Sequence, residues 1–600
     1  MSLGRLLRTV RHLTVEQVVF SVVRQARHAV WRRRPDVAAS RIATRAARLP
    51  HPDPYRPAIG AIAARVALLQ KTIHPEPPSA LRSGRFSIFG HDFNLGDLRA
   101  VDWRCDFDDD SSPLRRLTLA YCGWVVPLLA DGAPGDVGRV AQAIEHLDAI
   151  RWSEPEIFRD LWNPYTVSHR LINLLCGLNL YGRRESAADE GPARLVLLDH
   201  IRRCAAFIAS DPERDLQANH LFKNWTALAV FAAATPEPPS TFPALTAAIE
   251  RSLDQLVLPD GGHAERSPMY HALGLLDVEC IAASGSVPGL SPRLDADSAR
   301  MRRALAVMSH PDGDIALFND AWLGGTPSPQ QIGAPSADGT SVLSRTGYVR
   351  LGGEGDAVIL DCGPCGLDQQ PGHAHADFLA AEVSVRGQRF IVDPGTPTYV
   401  PGNLRDRCRS AALHNGPHIA GLEPIEFWKA FRVGRRASAG GLHDEALAQA
   451  PLWCAGWHDG YSSHGTEPRR WIGLWPGRGL LIVDVWKGAV TDRAKSFFLI
   501  PEEWTMTGAE GGVAFDGPAR IRVEALAGHL EVSRTVWWPR YGVEKPATGL
   551  CTLPYRGAMT LIGAISFTWG ERTPVDSTML AALERGLMAA RKTDPAGYQA

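Results

Sequence analysis

Apolar residues recur at helical spacing through the middle of the chain. The runs Leu114–Tyr121, Val167–Leu175, Leu195–Ile208, His220–Ala233, Leu245–Leu258 and Tyr270–Ala282 each carry a continuous apolar stripe. Pro and Gly separate them, at Asp211-Pro212, Pro236–Pro239 and Pro259–Gly262. After about residue 340 the period shortens. Ser344–Leu351 and Ala357–Asp361 flank Gly352–Gly355, Ala381–Val385 and Arg389–Asp393 flank Arg386–Gln388, and Trp471–Trp475 and Leu480–Trp486 flank Pro476–Gly479. Apolar runs with Gly-bearing turns between them predict β-hairpins. Helices followed by strands, without alternation, predict an α+β multidomain chain with a helical N-terminal body and a β-sandwich, and exclude a βαβ barrel. The stretch 577–592 reads as one short terminal helix. Residues 35–115 are rich in Pro, Gly and short polar runs, linker-like at Pro75–Pro78, with a short hairpin over 84–91. The expected organisation is 1–110 basic helix and extended region, 111–335 helical domain, and 336–600 antiparallel β-sandwich ending in a helix.

Six hundred residues exceed one ordinary domain, which fits two large units and a small N-terminal piece. Hydrophobic residues at 45% and charged residues at 22% describe a soluble globular protein. A net charge of −1 argues against a nucleic-acid binder, yet leaves room for a local basic cleft. Ten scattered cysteines make no disulfide framework. Cys362-Gly-Pro-Cys365 has redox spacing, but a Gly/Pro-rich loop follows it instead of a helix. No run reaches the ~18 apolar residues of a spanning helix. The first 34 residues hold eight arginines and one acid, Glu16. They make a poor signal peptide and a better basic amphipathic helix, either packed on the main body or docked on an anionic surface. Cytoplasmic location is the default expectation, with the cell envelope or periplasm as the alternative.

The densest chemistry is Gly372-His-Ala-His-Ala-Asp377. Imidazoles two residues apart in a short polar run are costly to bury alone and suit metal ligation or proton transfer. Asp393 ends a strand-like run and His414 follows. His375, Asp393 and His414 suit zinc with one position left for water, which leaves His373 free for chemistry. In the helical half, Asn219 and His220 stand where a loop becomes a helix, so Asn219 serves equally well as an N-cap. Ser267 and Pro268 read as N-cap and first helical residue before Tyr270. Taken alone, Tyr270 is more often a core aromatic. Arg170 meets an anionic ligand or forms a structural ion pair.

This ordered set resembles the heparinase II/III-like polysaccharide lyases over residues 115–420: Asn219-His220, Asp260-Gly with Glu265, Ser267 and Tyr270-His271, Gly372–Asp377, Asp393–Thr396 and His414-Asn415. The resemblance implies an incomplete (α/α) toroid followed by an antiparallel β-sandwich. It implies β-elimination on a uronate-containing polysaccharide or oligosaccharide. Asn219 and His220 would neutralise the substrate carboxylate, Tyr270 would act as acid/base and His373 as base. A structural zinc would be held by His375, Asp393 and His414. Arg170, Glu265 and Trp225 complete the expected site as substrate-binding residues. Two departures stand out: Gly416 follows His414-Asn415, with His418 as a second candidate third ligand, and Arg266 occupies a position that is often small.

The chemistry agrees. The C5 proton of a uronate is α to a carboxylate, so its loss needs donors that stabilise developing negative charge. Imidazole titrates near ~6.5 and phenol near ~10, which suits His as base and Tyr as acid toward the leaving O4. No Gly-x-Ser-x-Gly elbow and no phosphate loop compete. A zinc-dependent hydrolase, a glycoside hydrolase using two of Asp160, Glu265 and Asp320, and a non-catalytic glycan-binding protein of exopolysaccharide or capsule biosynthesis are the alternatives. Sulfated glycosaminoglycan, alginate and the cell's own acidic exopolysaccharide are all candidate polymers. The protein is expected to be a monomer or homodimer, without nucleic acid or transmembrane segment.

Overall fold

In the computed structural model the described residues are 3–89, 91–104, 113–149, 159–182, 191–240, 242, 244–488, 492–509, 512–557, 560–571 and 575–593. Helices occupy the first half and antiparallel strands the second. The central helices Pro164–Tyr181, Ala218–Ala233 and Pro268–Ser284 are buried almost all round, because neighbours cover every face. They pack against one another and against Gly191–Ser210, Val125–Asp131 and Ser291–Val307. One continuous apolar core fills this helical ring.

The region 35–115 departs from its linker-like reading. It holds helix α3 (Pro35–Ala47) and helix α4 (Pro57–Ile73), once α1 (Leu3–Val10) and α2 (Val15–Arg33) are counted from the start. The prolines begin these helices at the first helical position, where a missing N–H costs nothing. Helix α4 buries Ile59, Ile62, Ala63 and Val66 against Pro164–Tyr181 and Pro268–Ser284, so it is a full member of the ring. The hairpin pairs Arg85–Ile88 with His91–Asn94.

The first strand of the second half is Gly339–Leu343. Sheets of ten, five and four strands stack here, and every ladder between their strands is antiparallel. A second apolar core, built on residues such as Leu351, Phe390, Ile482 and Phe567, lies between the sheets. The two halves are fused, since Val392, Leu499, Trp537 and Tyr541 of the strand region join the helical core. The terminal helix spans Ser577–Ala589, capped by Asp576 accepting the Met579 N–H at 2.8 Å.

Candidate active site

One wall of a deep cleft is made of helix beginnings. The chain enters Ala218–Ala233 through two consecutive left-handed residues, Gln217 (φ 58°) and Ala218 (φ 49°). Such strain persists only where surrounding structure enforces it, and here it delivers Asn219 and His220 to the cleft in the helix's first turn. Asn219 is therefore a first-turn residue and not the cap. Its N–H, one of the donors a helix leaves unpaired, donates to Glu265 Oε1 at 3.0 Å. His220 Nδ1 lies 3.2 Å from Glu213 Oε1, and its ring sits 4.4 Å from that of Tyr165. Burial works against charging His220, but Glu213 raises its pKa above the ordinary value, favouring imidazolium. Ser267 caps helix Pro268–Ser284, its Oγ accepting the Tyr270 N–H at 3.2 Å, with Pro268 first in the helix as expected. That fixes Tyr270, whose OH is 3.1 Å from the Tyr399 OH.

The opposite wall comes from the loop between strands Asp356–Asp361 and Ala381–Val385 and from helix Asn403–Arg409, and is organised by Asp320, which lies between the last ring helix and the first strand. This carboxylate takes His373 Nδ1 at 2.9 Å, His375 Nε2 at 2.9 Å and a two-pronged contact from Arg405 at 2.5 and 2.8 Å. Burial opposes its ionisation, but Arg405 and the two histidines hold it well below the usual carboxylate range. An ionised carboxylate only accepts. His373 therefore carries a proton on Nδ1, and its Nε2 stands 3.8 Å from Glu265 Oε2. His375 carries its proton on Nε2 and keeps a lone pair on Nδ1. Its backbone N–H donates to Asn319 Oδ1 at 3.0 Å.

The walls meet. Tyr270 and His373 stack with ring centroids 3.8 Å apart. Asn219, His220, Tyr270, His373 and Tyr399 all line one cleft of about 840 Å³. Its rim carries Arg116, Arg159, Lys429 and Arg432, with Asp160 bound to both Arg116 and Arg159. A smaller apolar cavity of about 360 Å³ adjoins it, sharing Tyr121, Tyr165, Tyr270 and Tyr399 and adding Trp322, Tyr541 and Phe89. Burial first, then the Asp320 charge, pushes the Tyr270 phenol well above its ordinary pKa, so it keeps its proton.

Several expected residues stand elsewhere. Arg170 is fully buried and donates to the Ala120 and Leu161 carbonyls at 3.3 and 2.8 Å, stacked over Trp162, so it braces helix ends and touches no cleft. Trp225 is buried in the helical core because its face of Ala218–Ala233 points into the ring. Glu265 lies behind the cleft, engaged with Asn219 and 3.8 Å from His373 Nε2. Arg266 points away, onto the carbonyls of Thr346, Ala264 and Gly366. Of the other tryptophans, whose rings are of a kind that stacks on sugars, Trp103, Trp124 and Trp162 are core residues, and Trp152 lies outside the described residues. Cys362 and Cys365 are buried, unbridged thiols pushed up to about 12 by burial, which removes the redox reading. The hydrolase carboxylates fare no better: Asp320 is spent on Arg405 and two histidines, Glu265 on a helix terminus, and Asp160 on two arginines. Sequence reading missed Tyr399, the Glu213 support of His220, and the role of Asp320 with Arg405.

The expected metal donors are neighbours in the interior. His375 and His414 have ring centroids 5.3 Å apart, and His414 Nδ1 is 2.8 Å from Asp393 Oδ2. The atoms left buried without a hydrogen-bond partner are His375 Nδ1, His414 Nε2 and Asp393 Oδ1. Burial keeps His375 neutral, down to about 3, and lowers His414 as well. Two neutral imidazole lone pairs and a carboxylate oxygen fit zinc in kind. As they stand they do not converge, for no group of three or more His, Cys, Asp or Glu side chains is gathered to hold a metal among the described residues. His418 instead faces the Gly416 carbonyl at 3.4 Å.

Residues 337–575 match the family model of the heparinase II/III-like C-terminal domain. The whole architecture, helical toroid then antiparallel sandwich, is that of solved heparinase III structures. A crystal structure of heparinase III matches with TM-score 0.63 at 16% identity over 86% of both chains. That of a heparan sulfate lyase HepC mutant from Pedobacter heparinus matches with TM-score 0.55 at 15% identity over 83% of both. Among curated proteins, FtsZ-localized protein C of Caulobacter vibrioides is 27% identical over 423 residues, covering 67% of this chain and 69% of that protein.

Proposed function

We propose that this protein is a polysaccharide lyase that cleaves a uronate-containing acidic polymer by β-elimination. The observation that carries the reading is the meeting of Tyr270, Asn219, His220 and His373 in one cation-rimmed cleft. In this reading the uronate carboxylate lies against the Asn219 amide and the His220 imidazolium, which offset the charge that develops as C5 loses its proton. His373 Nε2 takes that proton. The C5–H electron pair becomes the C4–C5 double bond, the C4–O4 bond breaks, and the leaving O4 takes the Tyr270 phenolic proton. Tyr399, 3.1 Å away, is placed to return a proton to Tyr270. The rim cations suit a polyanion although the chain as a whole is near neutral. Candidate polymers are heparan-type glycosaminoglycan, alginate and bacterial exopolysaccharide or capsule. Incubation with at least one of these should yield product absorbing in the ultraviolet through its C4–C5 double bond; hydrolytic ends without that absorbance would overturn the reaction type.

Zinc belongs to the same proposal as a structural ion that His375 Nδ1, His414 Nε2 and Asp393 Oδ1 would hold. Metal analysis of purified protein should find about one zinc per chain. His375→Ala should lose both the metal and thermal stability, and an unchanged melting point with unchanged metal content would remove the site.

A second reading rests on the relative named FtsZ-localized protein C: a glycan-binding protein of the division or envelope machinery without turnover. Polymer binding that survives Tyr270→Phe, with no unsaturated product from the parent chain, would favour it.

A further inference from the structure

Helix α2 is built inside out. Its polar side faces the protein. Arg24 pairs with Asp215 at 3.0 Å and reaches Asp211 and Glu213, Arg27 and His28 hold Asp211 at 2.5 and 2.7 Å, and Gln17 donates to the Gln369 carbonyl at 3.2 Å. Its apolar side faces solvent. Val15, Val18, Val19, Val22, Val23 and Val30 are 41–81% exposed. At 3.6 residues per turn these valines form one stripe roughly 140° wide, opposite Gln17, Arg24 and Trp31. The register is no accident of fraying, because a complete capping box of Thr14 and Gln17 starts the helix.

This stripe is where the protein's exposed hydrophobicity collects. Of the seventeen large hydrophobic residues exposed among the described residues, nine lie between Leu7 and Val37. Single exposed valines need no explanation, but a contiguous ridge marks a contact surface. Cations frame it: Arg11 stands exposed before the stripe and Arg32, Arg33 and Arg34 after it. The first 48 residues hold eleven arginines against the two acids Glu16 and Asp36.

We propose that α1 and α2 dock this protein on an anionic lipid bilayer, the valine ridge entering the interface and the flanking arginines meeting lipid phosphates. A shallow apolar face with cationic ends is what an interfacial helix needs. A two-fold pairing with a second copy in antiparallel register would set Arg11 of one helix against Arg32–Arg34 of the other, a repulsive arrangement. The helices also bear on the cleft. Arg5 and Arg8 pair with Glu426 at 3.0 and 2.9 Å, and Trp428 donates to Thr9 at 3.0 Å, beside the Lys429–Arg432 rim. Docking would thus hold the cleft's mouth near the membrane surface, whatever reaction occurs there.

The test is flotation of the full chain with vesicles of phosphatidylcholine, alone and mixed with phosphatidylglycerol. The chain should float with the mixed vesicles, at least ~10-fold more than with phosphatidylcholine alone, and salt should weaken this. The double variant Val19→Asp/Val22→Asp should lose at least ~10-fold of the bound fraction. Its circular dichroism and melting point should stay unchanged, because both side chains face solvent. The triple variant Arg32→Gln/Arg33→Gln/Arg34→Gln should lose the preference for phosphatidylglycerol. A parent chain that floats with neither vesicle, or a double variant that floats like the parent, overturns the proposal. So does a parent dimer that the double variant converts to monomer without any vesicle binding, which would make the ridge a self-contact.

Discussion

The two walls of the cleft are held by different means. On the helical wall two groups are fixed by near neighbours: Tyr270 by Ser267 three residues back, and His220 by Glu213 seven residues back. On the sandwich wall everything hangs on one buried carboxylate. Asp320 is separated by 53 residues from His373, 55 from His375 and 85 from Arg405. Helix termini position a side chain through their own geometry. Loops between strands cannot, so a buried charge hub does it instead. Damage on the first wall should therefore stay local, while damage on the second should spread.

The harshest way to break this contrast is Arg405→Ala. Removing one partner of a buried ion pair leaves Asp320 uncompensated and should cost about 3–5 kcal/mol of stability, read by denaturant unfolding. A loss no larger than that of a surface substitution would show that Asp320 is no hub. Tyr270→Phe should do the opposite: turnover on the right polymer should fall by about 10²–10⁴ with the melting point preserved. Asn219→Ala should lower turnover by about 10²–10³, again without unfolding, because its structural bond uses the backbone N–H. Normal rates in either variant would refute the roles proposed for the helical wall. Ser267→Ala, which removes the cap and the bond that the Ser267 hydroxyl donates to the Asp320 carbonyl at 2.7 Å, should cost about 1–2 kcal/mol.

The walls should also part company with pH. Asp320 titrates below its ordinary range, so its contribution is present above about pH 4 and fades as pH falls through its depressed folded value. His220 titrates above its ordinary value, so the His220–Glu213 contribution is complete below about pH 6.5 and fades as pH rises through the raised folded value. Stability measured across pH should show a smaller alkaline decline in His220→Gln, the part from His200 beside Asp148 (pushed up to about 9) remaining, and should keep its acid decline. An unaltered alkaline limb would detach His220 from that contact.

Much of this was readable in the chain. The shift from 3.6-residue to hairpin periodicity near residue 340 marks the change from helical ring to strands, and Ser267-Pro268 marks a helix start, because both signals are local. Region 35–115 misled because prolines that begin helices look like prolines that break loops. Arg170 and Trp225 misled for a related reason: a position on a helix says nothing about which face the ring will cover.

Residue order alone set the helices and strands, and it set the pairing of His373 with His375 two positions on, since those depend on neighbours along the backbone. Tertiary structure decided that one of these imidazoles opens to the cleft while the other is sealed inside, that Asp320 binds both, and that the polar side of α2 turns inward. Each outcome depends on charges brought together from dozens of residues apart, and the cost of burying them unpaired selects the arrangement.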